Sequence, residues 1–281
     1  MALLIQLHRR LQGIVDLIGA RPLARKIFRF LFDLHYRGGR LARSTQNGRT
    51  WWLDPEVALR GELQEIETIQ WLRDVVKPGM TVIDVGANVG QMTLESAALV
   101  GPAGKVVAIE PHPGNLALLR RHVSANGYSE IVAIVAAACA DRDSPVAPLR
   151  VYGAAPTTVG SGHKLEIIPP HPADATLPEH IIDVPLVSLD RLCKEMGVNP
   201  DVVKIDVEGA ELLVLRGAQK TLAQSVPAVQ VGFHPFAFSN PANAASTIAE
   251  LMRTLGYQAM SPIASFDQPS DLCFMARRRA S

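Results

Sequence analysis

The stretch from Thr81 to Glu95, TVIDVGANVGQMTLE, limits what this chain can fold into more than any other. A short β-branched run, Val82 and Ile83, ends in Asp84; Val85 to Gly90 follows, and Gln91-Met92-Thr93-Leu94 opens a helix. Strand, glycine turn and helix in that order form the first unit of a nucleotide-binding α/β sheet. Glycine, with no Cβ, permits the sharp turn and the close approach of a ligand.

The spacing within the turn separates two ligand classes. A dinucleotide fingerprint, G-x-G-x-x-G, would put its later glycines at 88 and 91, which hold Asn88 and Gln91. The turn reads D-x-G-x-N-x-G instead. An acid at the strand end is unfavourable beside a pyrophosphate and favourable beside a cation. S-adenosyl-L-methionine, with a positive sulfonium, an amino group and no pyrophosphate, suits that pattern. Asp84, Gly86, Ala87, Asn88 and Gly90 are therefore the candidate cofactor contacts; the competing reading is a tight turn that serves only the fold. Lys105 to Glu110, KVVAIE, reads as a second strand, and Glu110 lies twenty residues beyond Gly90. An acid at that distance suits the two hydroxyls of an adenosine ribose.

The rest of the chain reads as one α/β core with additions. Its 281 residues are 48% hydrophobic and carry a net charge of +1, with no polyanion-binding signature that would point to nucleic acid. No apolar run reaches the length of a membrane span. Cys139, Cys193 and Cys273 are scattered and odd in number, as in a reduced cytoplasmic protein. Residues 1–49 differ: ten Arg or Lys against Asp16 and Asp33 give them +8, leaving −7 for the remainder. Leu3, Leu4, Leu7, Leu11, Ile14, Val15 and Ile18, then Leu23, Ile27, Phe30, Leu31 and Leu34, follow helical spacing and predict two amphipathic helices. The preferred reading is a helical cap on the catalytic domain; the alternative is a helix pair lying on a membrane surface or an acidic partner. Domain boundaries are expected at 1–49 and 50–281.

Thr50 to Leu53 predicts a short strand, and 56–75 a helix with Leu59, Leu63, Ile66, Ile69 and Leu72 on its apolar face. Helix 116–125 and a strand at 131–137 follow. Asp141, just past the small residues Ala136 to Ala138, is a candidate for the adenine amino group, with a plain turn aspartate as the alternative. Residues 142–187 hold eight of the twenty prolines, and an exposed lid or acceptor-binding insertion with strands at Leu149–Tyr152 and Ile181–Val187 is expected. His163, His171 and His180 lack zinc spacing, and no metal-ligating set is assigned there.

A second chemical centre lies at Val202 to Glu211, VVKIDVEGAE. In a strand over 202–207, Lys204, Asp206 and Glu208 would share one face. Ionisable groups in an apolar strand are costly unless paired or used. Asp206 is a candidate general base or metal ligand, and Lys204 a candidate partner for a carboxylate; a structural ion pair is the competing reading. His234, at the end of a strand over Val229–Phe233, is a candidate proton acceptor or a capping histidine.

VIDVGANVGQMTL, AIEPHPGN, VSLD, VVKIDVEGAELLVLRGA and the strand-terminal FHP, in that order, resemble the FkbM family of S-adenosylmethionine-dependent methyltransferases. The resemblance runs from about Glu65 to Met275 and leaves out residues 1–49. It implies a Rossmann-like, seven-stranded, mostly parallel sheet and methylation of a hydroxyl on a sugar, glycolipid or natural product. It carries cofactor roles to Asp84, Gly86, Asn88, Gly90 and Glu110 and places Asp206, Glu208 and His234 by the acceptor. Gly232, just before Phe233-His234-Pro235, departs from the acidic residue expected there. An N-methyltransferase, a non-catalytic binding protein and an NAD-dependent dehydrogenase are the rival readings.

Overall fold

The computed structural model describes residues 39–60, 65–155, 163–169, 176–260 and 270–276. The two amphipathic helices expected before residue 35 lie outside them, as do Leu63 and the Arg277-Arg278-Arg279 tail. Contacts divide the chain into Met1–Ile66 and Glu67–Ser281.

In the first unit, β1 (Ala42–Gln46) pairs antiparallel with β2 (Arg49–Leu53) as a two-stranded sheet of its own. Asn47 and Gly48 join them with φ of 49° and 80°. Those values suit a two-residue hairpin turn that matches strand twist. Only β2 was expected, although Asn-Gly between β-prone runs is the signal for both strands. Helix α1 (Pro55–Arg60) follows.

Helix α2 (Ile66–Val75) begins at the unit boundary. The single helix expected over 56–75 is therefore two helical segments, at 55–60 and 66–75. Ile69 and Leu72 are buried as expected, but Ile66 is 46% exposed, since it sits in the first turn of α2.

The main sheet has seven strands. Their ranges are β3 (Thr81–Val85), β4 (Lys105–Ile109), β5 (Val132–Val135), β10 (Val202–Ile205), β11 (Ala228–Phe233), β12 (Tyr257–Ala259) and β13 (Ser270–Ala276). Their order is β12-β13-β11-β10-β3-β4-β5. The pairs among β5, β4, β3, β10 and β11 are parallel; β13 runs antiparallel to β11 and β12. β3, first in the chain, lies in the middle. The chain adds β4 and β5 on one side, then returns to add β10 on the other, so the crevice between β3 and β10 is the switch point. Val82, Ile83, Val106, Val107, Val203, Ile205, Val229 and Val231 are all at most 1% exposed. That near-continuous apolar run is what a parallel sheet covered on both faces requires.

Helices α3 (Gln91–Val100), α4 (Pro113–Ala125), α5 (Leu189–Met196), α6 (Glu211–Arg216), α7 (Gln219–Ser225) and α8 (Pro241–Thr254) connect these strands. Ser188 caps α5, accepting from the Arg191 N–H, whereas Asp190 reaches across to accept from the N–H groups of Lys220 and Thr221 at 3.1 and 2.7 Å. The two residues thus serve different helices.

Residues 138–187 build a second sheet, in the order β6 (Ala138–Cys139), β9 (Glu179–Val187), β7 (Ser144–Tyr152) and β8 (Lys164–Leu165). The expected strand pair is present but longer, and residues 156–162 and 170–175 of the stretch between them lie outside the described residues. Leu149, Val151, Leu165 and Ile168 are buried in one cluster with Ala210. Prolines 145, 148 and 185 lie within β7 and β9.

Candidate active site

The glycine turn packs directly on the second centre. Gly86 has φ +79°, and a Cβ added there would lie 1.8 Å from the Asp206 carbonyl oxygen. Gly90, at φ +95°, would meet Leu119 at 2.5 Å. Both glycines therefore make room for the protein's own atoms, where the sequence suggested room for a ligand.

Four amides of the turn are already committed. Gly86 and Ala87 both donate to the Ile109 carbonyl at 3.0 Å, Asn88 donates to Glu110 Oε2 at 2.9 Å, and Gly90 donates to the Ala87 carbonyl at 2.8 Å. A pyrophosphate is held by unspent backbone N–H groups. A turn that spends its amides on two carbonyls and a carboxylate lacks that cradle.

Glu110 is 5% exposed. Besides the Asn88 amide it accepts from the His112 N–H at 2.9 Å and Asn115 Nδ2 at 3.3 Å. Burial raises its pKa, and those hydrogen bonds only partly oppose the rise. Its three donors leave room for one more at a carboxylate, which can accept about four. Two residues beyond the turn hold it from behind. Thr93 Oγ1 donates to Asp84 Oδ2 at 2.6 Å, and His122 Nδ1 meets the Val89 carbonyl at 2.7 Å. Thr93 is one turn into α3, a weak signal; His122 is 33 residues from Val89 and carries none.

Parallel pairing sets Asp84 beside Lys204. Lys204 Nζ lies 3.4 Å from Asp84 Oδ1 and 3.3 Å from Asp206 Oδ2, with its own side chain 4% exposed. The expected partner for Lys204 is thus two carboxylates, one from each motif. Asp84 is fully buried, and this bridge is what makes its charge tolerable.

β10 ends at Ile205, two residues short of the expected strand. Glu208 then turns with φ +54° and Gly209 with φ +108°, which folds the acidic segment back toward β11. His234 Nδ1 lies 2.8 Å from Glu211 Oε1, and Nε2 lies 3.6 Å from both Asp206 Oδ1 and Glu208 Oε2. Glu211, fully buried at the start of α6, also accepts from the Gly209 N–H at 3.0 Å. No role was assigned to Glu211 from the sequence; its place at the first turn of a helix looks like ordinary N-terminal charge.

Burial is the largest single influence on His234 and works to lower its pKa. The hydrogen bond and charge of Glu211, then the charges of Glu208 and Asp206, together outweigh it and raise the value to about 9. At neutral pH the ring is therefore an imidazolium, and it is not poised as the proton acceptor expected of it. Burial also acts most strongly on Asp206, in the raising direction, but Lys204 and His234 overcome it and the net shift is downward. Glu208 is raised, by burial first. Gly232 lies beneath this cluster: a Cβ there would stand 3.1 Å from Asp206 Oδ1. Its departure from the expected acid leaves space for the Asp206 carboxylate.

The second sheet supplies a facing wall. Lys164, 1% exposed, holds its ammonium 4.4 Å from the Phe236 ring centre, and Gly209 is pressed close to Ala237 and Ile168. Nothing in the loop-like composition around Lys164 pointed to its burial. Asp141, the candidate for the adenine amino group, lies beyond β6. It is exposed, ion-paired with Arg142 at 3.3 Å, and its backbone lies beside Gly217 at the end of α6.

A switch-point crevice with an acidic strand end, a turn whose amides are spent within the protein and a carboxylate cluster just past the neighbouring strand is a Rossmann-like site without a pyrophosphate cradle. The family model of the methyltransferase FkbM domain matches residues 84–259, and the chain belongs to that family of S-adenosylmethionine-dependent enzymes. Over 70 residues it is 34% identical to a demethylmenaquinone methyltransferase of Symbiobacterium thermophilum, a match covering 23% of this chain and 28% of that protein. Among solved structures it is similar to the FkbM methyltransferase of Methylobacillus flagellatus, with 15% identity and a TM-score of 0.46 over 74% of this chain. This chain spans 50% of that one. Aeropyrum pernix fibrillarin with bound S-adenosyl-L-methionine is similar at 10% identity and a TM-score of 0.44, over 75% of this chain and 74% of that one.

Proposed function

We propose that this protein methylates a hydroxyl oxygen of a small acceptor, with a sugar, glycolipid or natural product as the acceptor class. The observation that carries the reading is the Lys204 bridge, which ties Asp84 of the donor turn to Asp206 of the acidic cluster in one wall. S-adenosyl-L-methionine, when bound, supplies an electrophilic methyl on a sulfonium. Glu110 is positioned for the ribose, and Asp84 with Asn88 for the polar end of the donor; the Asn88 side-chain oxygen is buried without a hydrogen-bond partner.

Asp206 and Glu208 then face the acceptor, between the turn and the Lys164–Phe236 wall. They would hold the hydroxyl in line with the donor methyl and take its proton as the O–C bond forms and the S–C bond breaks, the neutral thioether leaving. Holding the two reactants in line contributes on the order of 7–11 kcal/mol, against a factor of about 10²–10⁴ for proton removal. Positioning therefore outweighs basicity, and a cluster that orients the oxygen is worth more than one strong base. Residues 142–187 serve as the acceptor-side insertion.

A labelled-methyl transfer screen against sugar, glycolipid and small-molecule fractions, read by mass spectrometry, tests the reading. Label on a hydroxyl oxygen supports it; label on nitrogen, or none despite donor binding, overturns it. Asp206→Asn is expected to lower turnover about 10²-fold or more while calorimetric affinity for S-adenosyl-L-methionine holds. Full turnover in that variant removes Asp206 from the mechanism.

A further inference from the structure

We propose that the exposed face of the β1–β2 hairpin, with the basic chain that leads into it, docks on an anionic lipid surface. The inference deepens the proposed function and rests on it for the acceptor alone, which it narrows to a glycolipid; the docking is tested without donor or acceptor.

The hairpin has two unlike faces. Ala42, Ser44, Gln46, Trp51 and Leu53 are at most 8% exposed. Arg43, Thr45, Thr50 and Trp52 share the other face, since the antiparallel register sets Arg43 opposite Trp52 and Thr45 opposite Thr50. All four are exposed, and Trp52 is 44% exposed. The hydroxyls of Thr45 and Thr50 lie 3.0 Å apart in a hydrogen bond, which leaves Arg43 as the charge on that face.

A single exposed tryptophan needs no explanation by itself; the chain around this one supplies it. From Leu34 to Leu53 the sequence carries Arg37, Arg40, Arg43 and Arg49 and no acid. Residues 1–49 hold +8 against −7 for the remainder. An anionic surface repels that remainder, so the attraction comes from this end of the chain. Two features select a bilayer over other polyanions. Tryptophan suits the membrane interface, where its ring lies among the headgroups and its N–H stays wet. Residues 3–34 repeat Leu, Ile, Val and Phe at helical spacing between the arginines. That pattern gives the headgroup boundary an apolar stripe to bury, for which a nucleic-acid backbone has no use. An enzyme held at such a surface draws its acceptor from the leaflet, which favours a glycolipid over a free sugar.

The full chain is floated with vesicles of phosphatidylcholine alone and with vesicles in which half of that lipid is phosphatidylglycerol. Flotation with the anionic vesicles only, reversed by salt, is expected. Tryptophan emission should shift to the blue on the same vesicles, and Trp52→Phe should lose most of that shift. Arg43→Gln should weaken the partition about 5-fold, and Arg253→Gln, on α8 of the second unit, should leave it unchanged. Circular dichroism checks the fold of each variant. No flotation overturns the inference and returns residues 1–49 to the helical-cap reading; equal flotation on both vesicles also overturns it. So does an emission shift kept in full by Trp52→Phe with a partition unmoved by Arg43→Gln, because the hairpin face would then not touch lipid. Release of the vesicles by a stoichiometric RNA duplex names nucleic acid as the partner and overturns it too. In the labelled-methyl screen the product is expected in the glycolipid fraction; a free sugar methylated in preference overturns the narrowing of the acceptor. Donor affinity is measured in the same preparation: donor binding without flotation removes only this inference, and flotation without donor binding removes only the proposed function.

Discussion

Gly86 takes a backbone angle open to few residues and a place open to none with a Cβ. An alanine there would carry the cost of φ +79° and a contact of 1.8 Å with the Asp206 carbonyl. Backbone strain and overpacking each cost about 1–3 kcal/mol. Gly86→Ala is therefore expected to destabilise the ligand-free protein by about 2–5 kcal/mol, read as a fall in thermal midpoint. A variant that loses only donor affinity, with its midpoint unmoved, would show that the glycine serves the ligand and not the packing. His234 supports a second prediction at this scale. Its pKa rises from the ordinary 6.5 to about 9 because three carboxylates surround it. The folded state then binds the extra proton, so the stabilisation is complete below about pH 6.5 and is lost as pH climbs through 9, up to about 3 kcal/mol. Thermal melts in EDTA across pH 6–10 should show that decline in the wild type and a flatter profile in His234→Gln; parallel profiles would mean the ring is not ion-paired as described.

Elements here borrow their ends from one another. Helix α7 has Ala218 at its N-cap and no side-chain cap there, and its first amides are satisfied by Asp190 of α5. Asp190→Ala strips both hydrogen bonds and should cost about 1–2 kcal/mol, a drop of a few degrees in thermal midpoint; Asp190→Asn should recover much of it. No change in Asp190→Ala would mean that water replaces the cap. Strand β10 shows the same dependence. Its four residues are paired on both sides, and its end at Ile205 is set by the turn at Glu208 and Gly209, which brings Glu211 and His234 together. Spacing alone extended that strand to Val207. Asp206 and Lys204 nevertheless share a face as expected, because two-residue periodicity survives an error in where the strand stops. The hairpin at Asn47-Gly48 was in plain view in the sequence, but its first strand, ARSTQ, is too polar to announce itself by hydrophobicity.

Across the whole molecule, the choice of donor is made by how the turn spends its amides. S-adenosyl-L-methionine should bind and NAD should not, in calorimetric titrations of the same preparation; binding of NAD would show that the amides of Gly86, Ala87 and Asn88 can be released from Ile109 and Glu110. The second sheet, with Lys164 beneath Phe236, is the part of the molecule that the linear chain described worst. Its two long strands carry prolines, its other two have only two residues each, and its buried cluster includes Ala210. The donor turn, its flanking strand and helix, and Lys204 as the partner of a carboxylate were written locally, in glycine spacing and strand periodicity over a few residues. Only the fold decided that Gly86 touches Asp206, that Glu211 holds His234 and that Asp141 lies beside Gly217. Those outcomes depend on which strands become neighbours across more than a hundred residues, and adjacency of that kind leaves no periodicity in the chain to be read.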